Sequence, residues 1–541
     1  MSGVFDFDEE TQIILNNFLF DVGSTDWKSW INLSTKEEYE EYILKNSGFS
    51  SFSEVLQQKN LDSKAFSIDI NTFIKDYDSS DAIVLCHTSG TTNSDITALK
   101  WFHMSKDIVS RYWAPGMQAI FESSGLTSKK SAVIFVPSRT NLDGIKDLDD
   151  RQYLSLYSSE FSQRTMLSII KPKSYLLYEY KKSKDLDTIS KILSMDDISV
   201  ISAPAITILG WSDIEKLQKG LTKSIDELKT KTNSNQNVLI NLIKQEGIKK
   251  ASKLIQEKLS EKLSGAIIIF STSSLSEQDW TLIRKFMRWK KAEEKFTNLY
   301  VASEVGPIAS SLGDFDVSRT NSMYLFPLTL DVLEYKGKKD LISRTENSIG
   351  KLLVSRFNNE EILTNIDLGD IIKIKTQNGL PQIEGTILRA KFELKYPIMI
   401  SNKIALPNRY TIYAGEHFIF DHFEIYNPRH LLNCLNLNCS SNFDCLLLTE
   451  TNRSIFKLIL SKNIDAECAD LEQIKKTILD CSQLKSLKTA IINDQIKIEL
   501  ISDKTIDFLA ARSDMLEYVR NGKMPKGILK KWPLYVLLQN E

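Results

Sequence analysis

The feature that most constrains this chain is an alternation, through its middle, of short uninterrupted apolar runs with segments of helical period. The runs are Ala82-Ile83-Val84-Leu85, Ala132-Val133-Ile134-Phe135-Val136, Ile198-Ser199-Val200-Ile201, Ala266-Ile267-Ile268-Ile269-Phe270 and Leu299-Tyr300-Val301. Between them Ile214, Leu217, Leu221, Ile225 and Leu228 recur at helical spacing, and Ala251, Leu254, Ile255 and Leu259 resume it after a polar break at 231–237. A strand with one wet face alternates apolar and polar residues. A strand apolar throughout must be covered on both faces, which is the condition of a parallel sheet sandwiched by helices. The expected fold class is therefore α/β, with a large N-terminal domain of parallel-rich sheets flanked by helices.

Either side of that region the pattern differs. Residues 1–80 read as a mostly helical segment of the large domain, with Ile13, Ile14, Phe18 and Leu19 on one side. After about 340 the chain turns strand-rich, with Lys351-Leu352-Leu353-Val354 and Ile371-Ile372-Lys373-Ile374 as strands. Helices at 429–435 and 471–479, with strands at 445–448, 456–460 and 496–501, predict a small α+β C-terminal domain.

Composition narrows the function. The 541 residues carry 68 basic and 70 acidic side chains, a net charge of -2, so no global field draws nucleic acid or anionic lipid. The 21 glycines and 12 prolines amount to roughly half of average usage, which excludes collagenous and linker-dominated chains. Six cysteines are too sparse for a disulfide framework, and the acidic start Met1-Ser2-Gly3-Val4-Phe5-Asp6 lacks the basic and apolar regions of a secretory signal. No run approaches the roughly 18 apolar residues of a membrane span. A cytoplasmic protein with reduced thiols is expected.

Chemistry concentrates in four segments. Behind the first apolar run stand Thr88-Ser89-Gly90-Thr91-Thr92, five small hydroxyl or glycine residues that pack poorly but can turn backbone N–H groups and hydroxyls toward a polyphosphate. No Gly-Lys-Ser/Thr follows, so this is not a Walker loop. Next comes Phe270-Ser271-Thr272-Ser273-Ser274-Leu275-Ser276, between a strand and a helix. The third is Tyr300-Val301-Ala302-Ser303-Glu304-Val305-Gly306, with a carboxylate suited to a hard cation on phosphate oxygens. The fourth is Thr364-Asn365-Ile366-Asp367-Leu368-Gly369-Asp370. Each alone is also what a turn or a helix cap looks like. Their joint order is not.

Together they resemble the acyl-adenylate-forming superfamily of acyl-CoA synthetases, luciferases and adenylation domains, and most of all its phenylacetate-CoA ligase and acyl-protein synthetase branches. The resemblance implies ATP-dependent activation of a small carboxylic acid as acyl-AMP, then transfer to a thiol, either coenzyme A or a carrier or protein cysteine. It implies that Thr88, Ser89, Gly90, Thr91 and Thr92 cradle phosphates and that Ser273 lies on the adenine side. By the same resemblance Tyr300 packs on adenine, Ser303 contacts the α-phosphate, Glu304 binds Mg²⁺, and Asp367 holds the ribose hydroxyls, with Asp370 its near neighbour. Segments Val133-Ile134-Phe135-Val136-Pro137-Ser138 and Ser202-Ala203-Pro204-Ala205 correspond to regions near the acyl pocket. The implied organisation is an adenylate-forming core at 81–385, a diverged hinge or insertion at 386–414 and a small mobile domain at 415–541.

The chain departs from that pattern at several points. Asn93-Ser94-Asp95 replaces the usual Gly-Lys-Pro, and the nearest following lysine is Lys100. The hinge Gly-Arg-x-Asp has no clean match, with Arg389 and Arg409 as candidates. Near the C-terminus, Lys526, Lys530 and Lys531 compete for the role of the family's catalytic lysine, within a stretch from Tyr518 to Asn540 that holds five basic and no acidic residues. These departures leave open a non-catalytic binding protein on the same fold, and an amide-forming acid–amine ligase. His417, His422, His430, Cys434, Cys439 and Cys445 crowd into 29 residues and could bind zinc, though no Cys-x-x-Cys knuckle is present.

Overall fold

The computed structural model describes residues 7–20, 22–62, 67–79, 81–88, 100–229, 238–271, 275, 277–290, 293–314, 322–335, 337–345, 347–358, 362–377, 380–388, 390–393, 398–401, 404–406, 410–414, 417–420, 422–439, 443–452, 455–462, 470–482, 484–501 and 533–539. Its backbone is a 13-stranded sheet with two characters. Strands Ser174–Glu179, Ser131–Val136, Ile198–Ser202, Ile267–Ser271 and Phe296–Ala302 lie side by side and parallel. Four of these five strands are expected apolar runs; Ser174–Glu179, at the edge, is an addition. Their residues are buried as the continuous pattern requires: Ala132, Val133, Ile134, Val200, Ile201 and Ile269 are all fully covered.

From Phe296–Ala302 onward the same sheet becomes antiparallel, through Gly306–Ser310, Met323–Leu325, Leu380–Leu388, Ile362–Gln377, Ile349–Phe357, Leu330–Tyr335 and Lys338–Leu341. The antiparallel half is larger than the sequence pattern indicates. Two of its strands contain the expected Lys351–Val354 and Ile371–Ile374; the others carry shorter or interrupted apolar runs, and several pair across bulges. The fifth run, Ile83–His87, stands in a separate four-stranded sheet, parallel to Arg151–Tyr157 and antiparallel to Trp101–His103.

Helices cover the parallel strands. In Ile214–Lys229, Leu217 and Leu221 are fully buried, and in Val238–Leu263 so are Ala251, Ile255 and Leu259. The latter helix is broken at Gly247, whose φ of 75° belongs to the left-handed region that only glycine enters freely. At the N-terminus, helix Glu9–Phe20 buries Leu15, Phe18 and Leu19, whereas Ile13 is 51% exposed. The buried stripe is thus rotated from the Ile13 side toward Leu15.

The C-terminal region forms its own six-stranded sheet with helices Pro428–Asn438, Leu471–Cys481 and Lys485–Ile492 around a separate core. The first two helices and strands Phe443–Asn452, Ile455–Lys462 and Ile496–Ile501 fall where the sequence places them. The sheet also takes in Ala390–Glu393 and Tyr410–Ala414. Two of its strands therefore precede residue 415 and come from the stretch read as a hinge. Among the described residues no helix is long and apolar enough to cross a membrane.

Candidate active site

In parallel α/β sheets the loops that leave the carboxyl ends of the strands emerge along one edge, and sites form there. Here Val136, Ser202, Ser271 and Ala302 are the last residues of adjacent parallel strands, so these carboxyl ends share an edge. In the smaller sheet, His87 and Tyr157 end the parallel pair in register. The two edges meet: the Ser303 hydroxyl donates to the Ser158 hydroxyl at 2.9 Å. One chemical edge is thus built from both sheets.

Across it, Lys100 connects Thr88 to the third motif. Lys100 Nζ donates to Glu304 Oε1 at 3.2 Å, with the two side chains 1% and 11% exposed. The backbone N–H of Thr88 donates to the carbonyl of Lys100 at 3.1 Å. Lys100 therefore sits beside the residue that opens the hydroxyl-rich segment, and its ammonium reaches the glutamate of the third motif. A charge-assisted bond at this depth holds both groups far more firmly than a surface pair.

A second buried pair braces the base of the phosphate segment. His87 Nε2 and Asp143 Oδ1 are 2.8 Å apart, each side chain 1% exposed, and the imidazole packs on Trp101 and Tyr157 at 5.1 and 5.4 Å between ring centres. Burial pushes the Asp143 carboxyl up, but the hydrogen bond and charge of His87 and the Thr140 donors outweigh it and hold the group below the usual aspartate range. Asp143→Ala should cost about 3 kcal/mol, because it strands a buried ring. Urea unfolding would measure it, and a loss under about 1 kcal/mol would show the pair to be incidental. Neither residue's partnership is visible in the sequence, since 56 positions separate them.

Tyr300 and the fourth motif also meet, though not through the expected aspartate. The Tyr300 hydroxyl donates to Asp370 Oδ2, and the two residues are 2% and 8% exposed. Asp367 instead accepts from Lys351 Nζ at 2.9 Å and from the N–H of Gly369 at 2.9 Å. Burial pulls the Lys351 ammonium down, but the Asp367 bond and charge, with Glu334 behind, hold it above the ordinary lysine range. Asn365 has a φ of 54° and donates its amide to the carbonyls of Val55 and Gln58 at 2.6 and 3.0 Å. Asparagine is among the residues that best tolerate that conformation, and its side chain ties the N-terminal segment to the sheet.

Ser89, Gly90, Thr91, Thr92, Ser273, Lys526, Lys530 and Lys531 lie outside the described residues. Among the described residues no group of three or more His, Cys, Asp or Glu could hold a metal ion. Within the crowded Cys/His stretch, His430 and Cys434 stand 3.7 Å apart on one helix, but Cys439 is buried against Thr477. Burial and the neighbouring Cys481 push the Cys434 thiol up to about 12. Burial, with the charges of Asp143 and Glu160, pushes Cys86 up as well. Both stay protonated at neutral pH, and a thiol is a weak nucleophile and a poor metal ligand.

The carboxylate expected to bind Mg²⁺ also faces a difficulty. Magnesium at phosphate sites draws on one or two protein carboxylates. Glu304 is that carboxylate, yet its Oε1 is held by a buried ammonium. A dication on the same group would sit beside the Lys100 charge where water screens poorly, and like charges there repel strongly. As arranged, the residues do not fit Mg²⁺ at Glu304.

The chain matches no family model and no curated protein. It is similar in structure to several solved proteins. An open conformation of 2-hydroxyisobutyryl-CoA ligase in complex with 2-HIB-AMP and CoA superposes at a TM-score of 0.45 and 10% identity, over 91% of this chain and 86% of that one. The GH3.15 acyl acid amido synthetase gives 0.47 and 12%, over 97% and 91%. The amide bond synthetase McbA from Marinactinospora thermotolerans gives 0.39 and 11%, over 79% and 66%. These are likenesses of fold at low identity.

Proposed function

We propose that this protein activates a small carboxylic acid with ATP, forming an acyl-adenylate, and passes the acyl group to a thiol outside the chain, such as coenzyme A or a carrier protein. The observation that supports it most is the Lys100–Glu304 contact. It links Lys100, whose carbonyl holds the N–H of Thr88 at the start of the hydroxyl-rich segment, to Glu304 in the third motif, 204 positions away. Turn-forming segments matched by chance have no reason to converge.

In the first half-reaction a carboxylate oxygen attacks the α-phosphorus of ATP, the bond to the β-phosphate bridging oxygen breaks, and pyrophosphate leaves. Such a transfer needs little covalent help. It needs two anions held in line and their charge offset. Thr88 with Ser89, Gly90, Thr91 and Thr92 would donate to phosphate oxygens, and Ser303 would meet the α-phosphate. Tyr300 with Asp370, in place of Asp367, would hold the nucleoside. Lys526 or Lys530 would bring positive charge to the transition state. In the second half-reaction the thiol sulfur attacks the acyl carbonyl, AMP departs with the bonding pair, and the thiol proton goes to solvent. Cys86 and Cys434, whose thiols are raised, are poor internal acceptors.

ATP–pyrophosphate exchange across a panel of carboxylic acids tests the first step. Exchange with at least one acid, lost in Lys526→Ala or Lys530→Ala, is expected. No exchange with any acid, together with unchanged ATP binding in Glu304→Gln, would mean a binding protein on an enzyme's fold. Trapping with coenzyme A against amines then reads the acceptor, and product only with amines would replace the thiol.

A further inference from the structure

We propose that Trp113 is the positioning residue of the turn Ser303–Gly306: laid against Gly306, it fixes where Ser303 stands for the nucleotide's phosphate. The inference rests on the nucleotide reading above and extends it to a residue outside the four motifs. It starts from an irregular piece of helix. Val109–Trp113 forms a π-helical turn between the short helix Lys106–Ile108 and the helix Ala114–Ser123. A π-turn closes i→i+5 hydrogen bonds, is rare, and appears frequently at functional sites. The last two residues of this one are aromatic, buried and differently engaged. The Tyr112 hydroxyl donates to the carbonyl of Phe357 and accepts from its N–H at 2.7 Å. Trp113 meets the third motif instead. A side chain at Gly306 would place its first carbon 3.4 Å from three atoms of the indole, so the ring lies face-on to the glycine.

Gly306 has a φ of 99°, in the region that favours glycine, and closes the turn by pairing with Ala302. Three residues after Trp113, Gly116 approaches Pro307 so closely that a Cβ there would meet the proline ring at 2.6 Å. The indole also meets Phe161 edge-on, with ring centres 5.8 Å apart. Phe161 stands three residues after Ser158, the residue that accepts from the Ser303 hydroxyl. Trp113 therefore touches both sides of that contact: the backbone that carries Ser303 and the helix that carries Ser158. It is 1% exposed, so it acts through the turn and not on the nucleotide itself. A hydroxyl that meets a reacting phosphate must be held to within about 0.5 Å. A misplacement of about 1 Å from a distant change can cost on the order of a hundredfold.

Hydrogen exchange of the full chain, read by mass spectrometry, and calorimetric titration with ATP test this together. Trp113→Leu should raise exchange at residues 302–306 by about tenfold or more and leave the strand Ser131–Val136 unchanged. It should also weaken ATP binding by about tenfold. Trp113→Phe, which keeps a flat ring on Gly306, should stay within about threefold of wild type in both measurements. Phe161→Leu withdraws the ring that the indole leans on and should open the same residues by about threefold, which guards against a Trp113→Leu variant that fails to fold. Exchange at 302–306 that keeps the wild-type rate in the leucine variants, or rises equally in Ser131–Val136, overturns the inference. So does an opened turn with unchanged ATP affinity. A wild type that binds no ATP overturns the adenylation proposal, and the exchange pattern still decides whether Trp113 holds the turn.

Discussion

Asp370→Asn is expected to weaken ATP binding by about tenfold to a hundredfold, whereas Asp367→Asn should change it by less than about threefold. The two carboxylates are three residues apart on the strand Ile362–Gln377, and the family pattern alone leaves both eligible. Their surroundings separate them. Asp370 is buried and accepts from Tyr300, the aromatic residue of another motif. Asp367 is a quarter exposed and spends its lone pairs on Lys351 and on the N–H of Gly369. A carboxylate that grips two ribose hydroxyls contributes through charge-assisted hydrogen bonds, which an amide replaces poorly. Asparagine keeps an acceptor for the Tyr300 hydroxyl, so the variant tests the charge and spares the contact. Calorimetry on both variants decides it, and a larger loss in Asp367→Asn would return the ribose to the motif's first aspartate.

The second large effect concerns stability. Asp331 lies on the strand Leu330–Tyr335, is 2% exposed, and accepts from Thr329 Oγ1 at 2.9 Å. Burial pushes its carboxyl up to about 8, although the Thr329 bond pulls the other way. A carboxyl raised in the folded state keeps its proton while the unfolded chain releases one. Stability is therefore fully present below the unfolded value near 3.8 and falls as pH rises toward 8. The slope is about 1.4 kcal/mol per pH unit, and across this window the loss is at most about 5–6 kcal/mol. Asp331→Asn cannot ionise and should lack this decline. Urea midpoints of wild type and variant at pH 5 and pH 8.5 measure the difference, and parallel pH profiles would refute the buried charge.

What the sequence discloses follows from the range of the interactions involved. Continuous apolar runs mark strands covered on both faces, so Val133, Ile134, Val200, Ile201 and Ile269 are legible as core from their neighbours alone. The antiparallel strands are less so, because Met323–Leu325 is only three residues long and takes a partner from 60 positions away, and the largely exposed Lys338–Leu341 carries one apolar residue. The motif residues are legible as types in an order. Which of them meet is not: nothing local joins Lys100 to Glu304, His87 to Asp143, or Tyr300 to Asp370. Asn365 shows the converse. In the sequence it reads as an ordinary turn residue, yet its left-handed backbone and its two bonds to the 55–58 segment give it a structural task.

The C-terminal sheet has a consequence for how the chain comes to be folded. Strand Leu534–Gln539 is an interior strand, antiparallel to Tyr410–Ala414 on one side and parallel to Phe443–Asn452 on the other. During synthesis both neighbours emerge long before it does. Until residue 539 is made, each presents a row of unpaired backbone donors and acceptors, the kind of edge that recruits other chains. The closing contacts span most of the domain, and such long-range pairing is slow to form. A nascent chain of this protein therefore passes through a stage with two sticky margins, and we expect its yield to depend on chaperones that hold a half-built sheet apart from its copies.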